Sequence, residues 1–126
     1  GNGDAHLKNF SLMETDDGDY FLSPAYDLLC TALHIDDGYL ALSDGLYEGD
    51  YTEASFQVFG FYTSASFIKF AEKAGIDPKI AAGIIKQMIQ SAPEAYTFIE
   101  RSFMSKEAKK KYSHHLQMRL HNLSAQ

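Results

Sequence analysis

Asp4 and Asn9 lie five positions apart in Gly3-Asp4-Ala5-His6-Leu7-Lys8-Asn9, and Asp27 follows eighteen residues later in Ser23-Pro24-Ala25-Tyr26-Asp27-Leu28. These residue types at this spacing suit phosphoryl transfer. That reaction needs a carboxylate to orient and deprotonate the acceptor hydroxyl, and hard oxygen ligands to hold Mg²⁺ on the nucleotide phosphates. Asp4 is the candidate base, and Asn9 and Asp27 are the candidate metal ligands. A bare Asp-x-x-x-x-Asn is common, occurring in roughly one random chain in four of this size. The added Gly-Asp-x-His, a hairpin after Asn9 and the closing Pro-x-Tyr-Asp make the pattern far more specific. The competing structural roles are turn capping by Asp4 and Asn9, and an N-cap at Asp27 for a helix starting at Leu28. His6 reads as a brace of the loop, and Lys8 either as a γ-phosphate contact or as a solvated lysine.

Positioning these groups requires the loop and the second Asp to meet. Phe10–Glu14 and Asp19–Ser23 are β-prone runs around Thr15-Asp16-Asp17-Gly18, which predicts a hairpin that returns the chain toward Asp27. Tyr26 to His34 is apolar at helical spacing. Residues 39–62 predict a loop with a short strand near 39–43 and a turn of helix near 53–59. From residue 63 the pattern is helical. Ser64 is the expected cap of a helix to Ala74 that Gly75 stops. Asp77-Pro78 caps a helix to about Gln90, with Ile80, Ile84, Ile85, Met88 and Ile89 expected to face inward. Ser91-Ala92-Pro93-Glu94 has capping-box spacing and opens a helix to about Phe103, and Ser105 opens a last one to about Leu123. Short connections predict an antiparallel helical bundle over 63–123. The expected fold is therefore mainly α, with a β-hairpin over 10–23 following a catalytic loop over 1–9.

The chain of 126 residues fits one ordinary domain, and its 45% hydrophobic and 22% charged composition is that of a globular protein. No apolar run is long enough to span a membrane, so no membrane partner is expected. With no leader pattern and the lone Cys30, the expected location is a reducing, cytoplasmic one. Cys30 itself reads as a small buried hydrophobe. The net charge of −6 conceals an asymmetry: residues 1–62 carry one base and twelve acids, whereas 63–126 carry ten bases and five acids. The acidic half repels nucleic-acid phosphates unless a cation intervenes, so DNA is expected only indirectly. Lys106, Lys109, Lys110 and Lys111 form a basic run of the kind that usually solvates a helix. His114, His115 and His121 share the last predicted helix, but no carboxylate or Cys sits one turn away, and they read as a solvated face.

Asn2 to Leu12, taken with Ser23 to Leu29, resembles the C-terminal lobe of the HipA-like Ser/Thr kinases, the toxin components of bacterial toxin–antitoxin pairs. That family's loop reads Asp-x-His-x-Lys-Asn-Phe-Ser, followed by a hairpin and Leu-(Thr/Ser)-Pro-x-Tyr-Asp. This chain matches at Asp4, His6, Lys8, Asn9, Phe10, Ser11, Leu22, Ser23, Pro24, Tyr26 and Asp27. The resemblance implies a protein-kinase-like helical C-lobe and Mg²⁺·ATP as cofactor. It implies Asp4, His6 and Lys8 as the catalytic set, and Lys8, Asn9 and Asp27 as the cofactor-binding set. Asn9 and Asp27 would hold the metal. The implied partners are a protein substrate such as an aminoacyl-tRNA synthetase and a helix-turn-helix antitoxin that binds DNA.

The chain departs from a whole kinase in two places. No Gly-x-Gly-x-x-Gly occurs, and the only lysine of the acidic half lies inside the loop, so the nucleotide-covering N-lobe is absent from this sequence. Because Gly1-Asn2-Gly3-Asp4 opens inside a polar loop without a methionine, the chain reads as a fragment missing its N-lobe partner and inactive alone. Two alternatives stand beside this reading. One is a non-catalytic binding module of a toxin–antitoxin complex. The other is a phosphoinositide or small-molecule kinase-like lobe, since those kinases share parts of the loop but do not continue to Ser-Pro-x-Tyr-Asp.

Overall fold

Asp and Gly between two β-prone runs leave the chain little choice but to reverse, and the hairpin forms where they stand. β1 (Leu12–Glu14) pairs antiparallel with β2 (Tyr20–Leu22), in the register Leu12↔Leu22, Met13↔Phe21 and Glu14↔Tyr20. Thr15 closes the turn: its N–H donates to the Asp19 carbonyl at 2.8 Å, and its hydroxyl accepts from the Asp19 N–H at 3.1 Å. A further bond from the Ser23 N–H to the Ser11 carbonyl, at 2.8 Å, extends the ladder toward the loop. In this computed structural model, which describes residues 1–36, 40–41 and 44–125, the chain is mainly helical with this one hairpin. It divides into two units, Gly1–Ser43 and Asp44–Gln126.

In the first unit, the helix predicted from Tyr26 to His34 does not form. Only a 3₁₀ turn at Thr31–Leu33 is helical. Asp27 has φ of 54°, a left-handed value that no right-handed helix accommodates, and the side chains of residues 26, 27 and 31 bond to residues 1–11 instead. Tertiary hydrogen bonds override a helical pattern here. Cys30 is half-buried rather than enclosed. The strand predicted near 39–43 lies largely outside the described residues.

The second unit holds α1 (Ala54–Phe59), α2 (Ser64–Lys73), α3 (Pro78–Gln90), α4 (Ala92–Arg101) and α5 (Lys106–Ser124). Thr63, not Ser64, caps α2, its N–H donating to Ser66 Oγ at 3.2 Å, while Gly75 stops the helix as expected. At φ 75° it lets the Ile76 N–H reach the Ala71 carbonyl and its own N–H reach that of Glu72, which satisfies the exposed carbonyls of the last turn. Asp77 Oδ1 caps α3 by accepting from the Lys79 N–H at 2.7 Å, and Ser105 Oγ caps α5 by accepting from Ala108 at 3.2 Å. Ser91 does not build a capping box. It sits in helical conformation at the end of α3, and its hydroxyl donates back to the Met88 carbonyl at 2.8 Å, so α3 runs almost directly into α4.

α2 packs on α3 and α5, α3 on α4 and α5, and α4 on α5. The fully buried positions of these helices are few: Ser66, Ala71, Ala81, Ile99 and Asn122. This narrow seam corrects the expectation for α3. Ile85 and Ile89 are half-buried, but Ile80, Ile84 and Met88 are 58%, 53% and 58% exposed, because the apolar arc of α3 is wider than its neighbours cover. On the last helix His115 is half-buried, and burial, reinforced by Lys111 one turn away, lowers its pKa. Among the described residues, no helix is long and apolar enough to cross a membrane.

The segment before α2 wraps around a buried carboxylate. Asp50 is 4% exposed, and its Oδ2 accepts from the Leu46 N–H at 2.6 Å. Tyr62 neighbours this carboxylate, and its ring lies tilted against Phe56 with centroids 4.9 Å apart. The ammonium of Lys73 lies 4.7 Å from the centre of the Tyr47 ring. Tyr51, Val58 and Phe70, by contrast, are exposed, so the aromatic segment is only partly core. Burial, and then the neighbouring Glu53 for Tyr47 and Asp50 for Tyr62, push both phenols up to about 12. Because each is raised above its unfolded value near 10, the folded state holds its protons longer than the unfolded chain. This contribution to stability is complete below pH 10 and is lost as pH rises from 10 to 12. Absorbance at 295 nm should show a late phenolate step near pH 12 that Tyr47→Phe with Tyr62→Phe removes. A titration with no late step would contradict the burial of both rings.

Candidate active site

Residues 1–9 form a loop closed by a 3₁₀ turn at Leu7–Asn9. The Asp4 carbonyl accepts from the His6 N–H at 2.9 Å, and the His6 carbonyl accepts from the Asn9 N–H at 2.9 Å. Asn9 then turns its side chain back into the loop, where Oδ1 accepts from the His6 N–H at 3.1 Å. Its Nδ2 donates across eighteen residues to Asp27 Oδ2 at 2.8 Å. The two partners fix the amide orientation, since a backbone N–H requires the oxygen and a carboxylate requires the nitrogen. The two candidate metal ligands are therefore in direct contact.

Both ends of the site are tied to the loop. Asn2 Oδ1 accepts from the Asp4 N–H at 3.0 Å, while its Nδ2 donates to the Asp27 carbonyl at 3.4 Å, so one side chain joins the two acidic residues' backbones. Thr31 Oγ1 accepts from the Gly3 N–H at 2.8 Å and donates to the Gly1 carbonyl at 3.3 Å. The Tyr26 hydroxyl donates to the Lys8 carbonyl at 2.8 Å and lies 2.8 Å from Ser11 Oγ. Asn2, Thr31 and Tyr26 had no assigned role in the sequence reading. Asn2 and Tyr26 stand beside Asp4 and Asp27 in the chain, which is a weak signal; Thr31 carried none.

Asp4 and His6 form a looser pair. His6 Nε2 lies 3.8 Å from Asp4 Oδ1 with both side chains well exposed, so the contact is an ion pair only when His6 is protonated and is weak in water. The Lys8 ammonium makes no hydrogen bond or ion pair among the described residues; the structure engages Lys8 through its carbonyl. A hollow of about 120 Å³ opens beside the Asn9–Asp27 contact, lined by Asn2, Ala5, Asn9, Phe10, Pro24, Tyr26, Asp27 and Leu28 among others. The Asp27 carboxylate in its wall is an oxygen donor of the hard kind that Mg²⁺ prefers, and its Oδ1 accepts no hydrogen bond among the described residues, while Asn9 Oδ1 takes the His6 N–H. This donor set fits a divalent cation. A wider groove, about 790 Å³, lies between α4 and α5, where Lys106, Lys109 and Lys110 meet Tyr96, Glu100 and His114. The basic run therefore lines a groove, with the Lys109 ammonium donating to the Glu100 carbonyl. No group of three His, Cys, Asp or Glu able to hold a metal occurs among the described residues, the last-helix histidines included.

Residues 1–96 match the family model of the HipA-like C-terminal domain. The chain belongs to the HipA-like family. No curated protein matches the chain. The family match takes in the loop, the hairpin, Asp27 and the helices through α3 of this HipA-like chain, whereas α5 and its basic run lie beyond it.

Proposed function

We propose that this HipA-like chain is the catalytic-loop portion of a protein-kinase-like C-lobe, serving Mg²⁺·ATP-dependent phosphoryl transfer to a protein serine in a toxin–antitoxin system. The observation that carries the reading is the 2.8 Å hydrogen bond from Asn9 Nδ2 to Asp27 Oδ2, which brings these two residues together from distant sequence beside the Asp4 loop. When bound, Mg²⁺·ATP supplies the phosphoryl group and the charge neutralisation that its transfer needs. Asn9 and Asp27 would hold the cation through Asn9 Oδ1 and the Asp27 carboxylate. Asp4 orients the acceptor serine and accepts its proton; its exposed carboxylate is open to a protein substrate. His6 steadies that carboxylate, and Lys8 has an ammonium free to meet a phosphate. The remaining partners of this reading are a nucleotide-covering N-lobe and a helix-turn-helix antitoxin. The exposed Leu7, Leu12, Leu22 and Leu28 support a protein-covered surface on this unit.

Titration of the intact protein with ATP, with and without Mg²⁺, tests the proposal. Asp27→Asn is the informative variant, because asparagine tolerates the left-handed backbone at this position and removes only the charge. It should weaken Mg²⁺-dependent ATP binding by roughly tenfold or more. Wild-type protein that binds no nucleotide in either condition would leave the non-catalytic binding module as the reading.

A further inference from the structure

Tyr26 precedes Asp27, and its ring reaches back to the loop that carries Asn9. Its hydroxyl has one proton, which goes to the Lys8 carbonyl at 2.8 Å. The contact of 2.8 Å with Ser11 Oγ must then run the other way, with the serine donating to the tyrosine oxygen. One phenol oxygen thus pins the residue before Asn9 and the second residue after it. The main chain of Tyr26 continues directly into Asp27.

Asp27 is held from several sides. Its φ of 54° is a left-handed conformation that Asp reaches more readily than most residues but that is still uncommon outside glycine. Asn9 Nδ2 holds its carboxylate, Asn2 Nδ2 holds its carbonyl, and the Tyr26 hydroxyl anchors the residue before it. The tyrosine bonds are partly open to water, so solvent can satisfy the Lys8 carbonyl and the Ser11 hydroxyl once they are lost. Solvent cannot, however, keep the two segments in register.

We infer that Tyr26 is a positioning residue: its hydroxyl, bonded to the Lys8 carbonyl and to Ser11, sets the placement of Asp27 against Asn9 and thereby the affinity of that pair for a divalent cation. The inference rests on the reading of Asn9 and Asp27 as cation ligands.

Two measurements on the intact protein separate the inference from that reading. The first uses no metal and follows the Asn9 side-chain amide by NMR after selective ¹⁵N-asparagine labelling. Tyr26→Phe should shift this signal and speed its hydrogen exchange by roughly three- to tenfold, the loss expected for one or two hydrogen bonds. The second is Mn²⁺ binding, read from water-proton relaxation, where Tyr26→Phe should raise Kd by a similar factor while Tm stays within a few degrees. If Tyr26→Phe does not fold, Ser11→Ala keeps the ring and removes one partner, with roughly a two- to threefold effect expected on both readouts. An Asn9 amide and an Mn²⁺ affinity both unchanged in the variant overturn the positioning role while leaving the cation site intact. Wild-type protein that binds no Mn²⁺ overturns the affinity claim together with the cation site, and an altered Asn9 amide in Tyr26→Phe would then support the positioning of Asp27 alone.

Discussion

Asp4→Ala is expected to lower phosphoryl transfer by the intact protein by about 10²–10⁴-fold, the usual loss when a general base is removed. The structure makes this substitution a clean one. The bonds that shape the loop at this residue are its N–H to Asn2 Oδ1 and its carbonyl to the His6 N–H, and alanine keeps both. Among the described residues its carboxylate has one polar partner, His6, at 3.8 Å. Fold stability and Mg²⁺-dependent ATP binding should therefore stay close to wild type while the chemical step fails. His6→Gln should cost about fivefold or less, because an exposed pair at that distance is worth at most about 1 kcal/mol. Single-turnover measurement of γ-phosphoryl transfer from saturating Mg²⁺·ATP checks both. An Asp4→Ala rate within about threefold of wild type would remove Asp4 from the mechanism.

Gly45→Ala should destabilise the protein by about 2–4 kcal/mol, well beyond an ordinary surface substitution. Two costs add. Gly45 has φ of 83°, where a side chain crowds its own backbone, and a Cβ there would lie 2.4 Å from Asp50 Oδ2 and 2.6 Å from Oδ1. The carboxylate has nowhere to go: Asp50 is buried, and its Oδ2 is held by the Leu46 N–H. Chemical denaturation monitored by far-UV circular dichroism measures the effect. Wild-type stability in Gly45→Ala would mean that Asp50 is not packed against residue 45.

Local chemistry explains what was readable in advance. The β-prone runs on either side of Thr15–Gly18 could only reverse, and Gly75, Asp77-Pro78 and Ser105 mark helix ends through bonds made within a few residues. The same locality explains the failures. Ser91 was equally able to cap α4 or to finish α3, and the backbone of α3 had already made the choice. The apolar stripe of α3 signalled a helix with an inward face, but how much of that face is covered depends on which neighbours arrive. The buried seam takes in Ala71 and Ala81 and leaves Ile80, Ile84 and Met88 outside it.

The candidate site divides in the same way. Asp4, His6, Lys8, Asn9 and Asp27 could be singled out from residue types and spacing, because chemistry that handles phosphate and a hard cation needs those functional groups whatever the fold. That Asn9 and Asp27 touch, that Asp27 takes a left-handed backbone in place of a predicted helix, and that Asn2, Tyr26 and Thr31 hold the two segments together are properties of the tertiary structure alone. Each depends on hydrogen bonds spanning 15 to 30 residues, whose partners no local periodicity encodes. The sequence by itself determined which groups were available for chemistry and where most helices end, since those follow from side-chain type and from bonds within a turn or two. Only the folded chain decided which of those groups meet, because a contact across a loop forms where packing and register bring its two ends together.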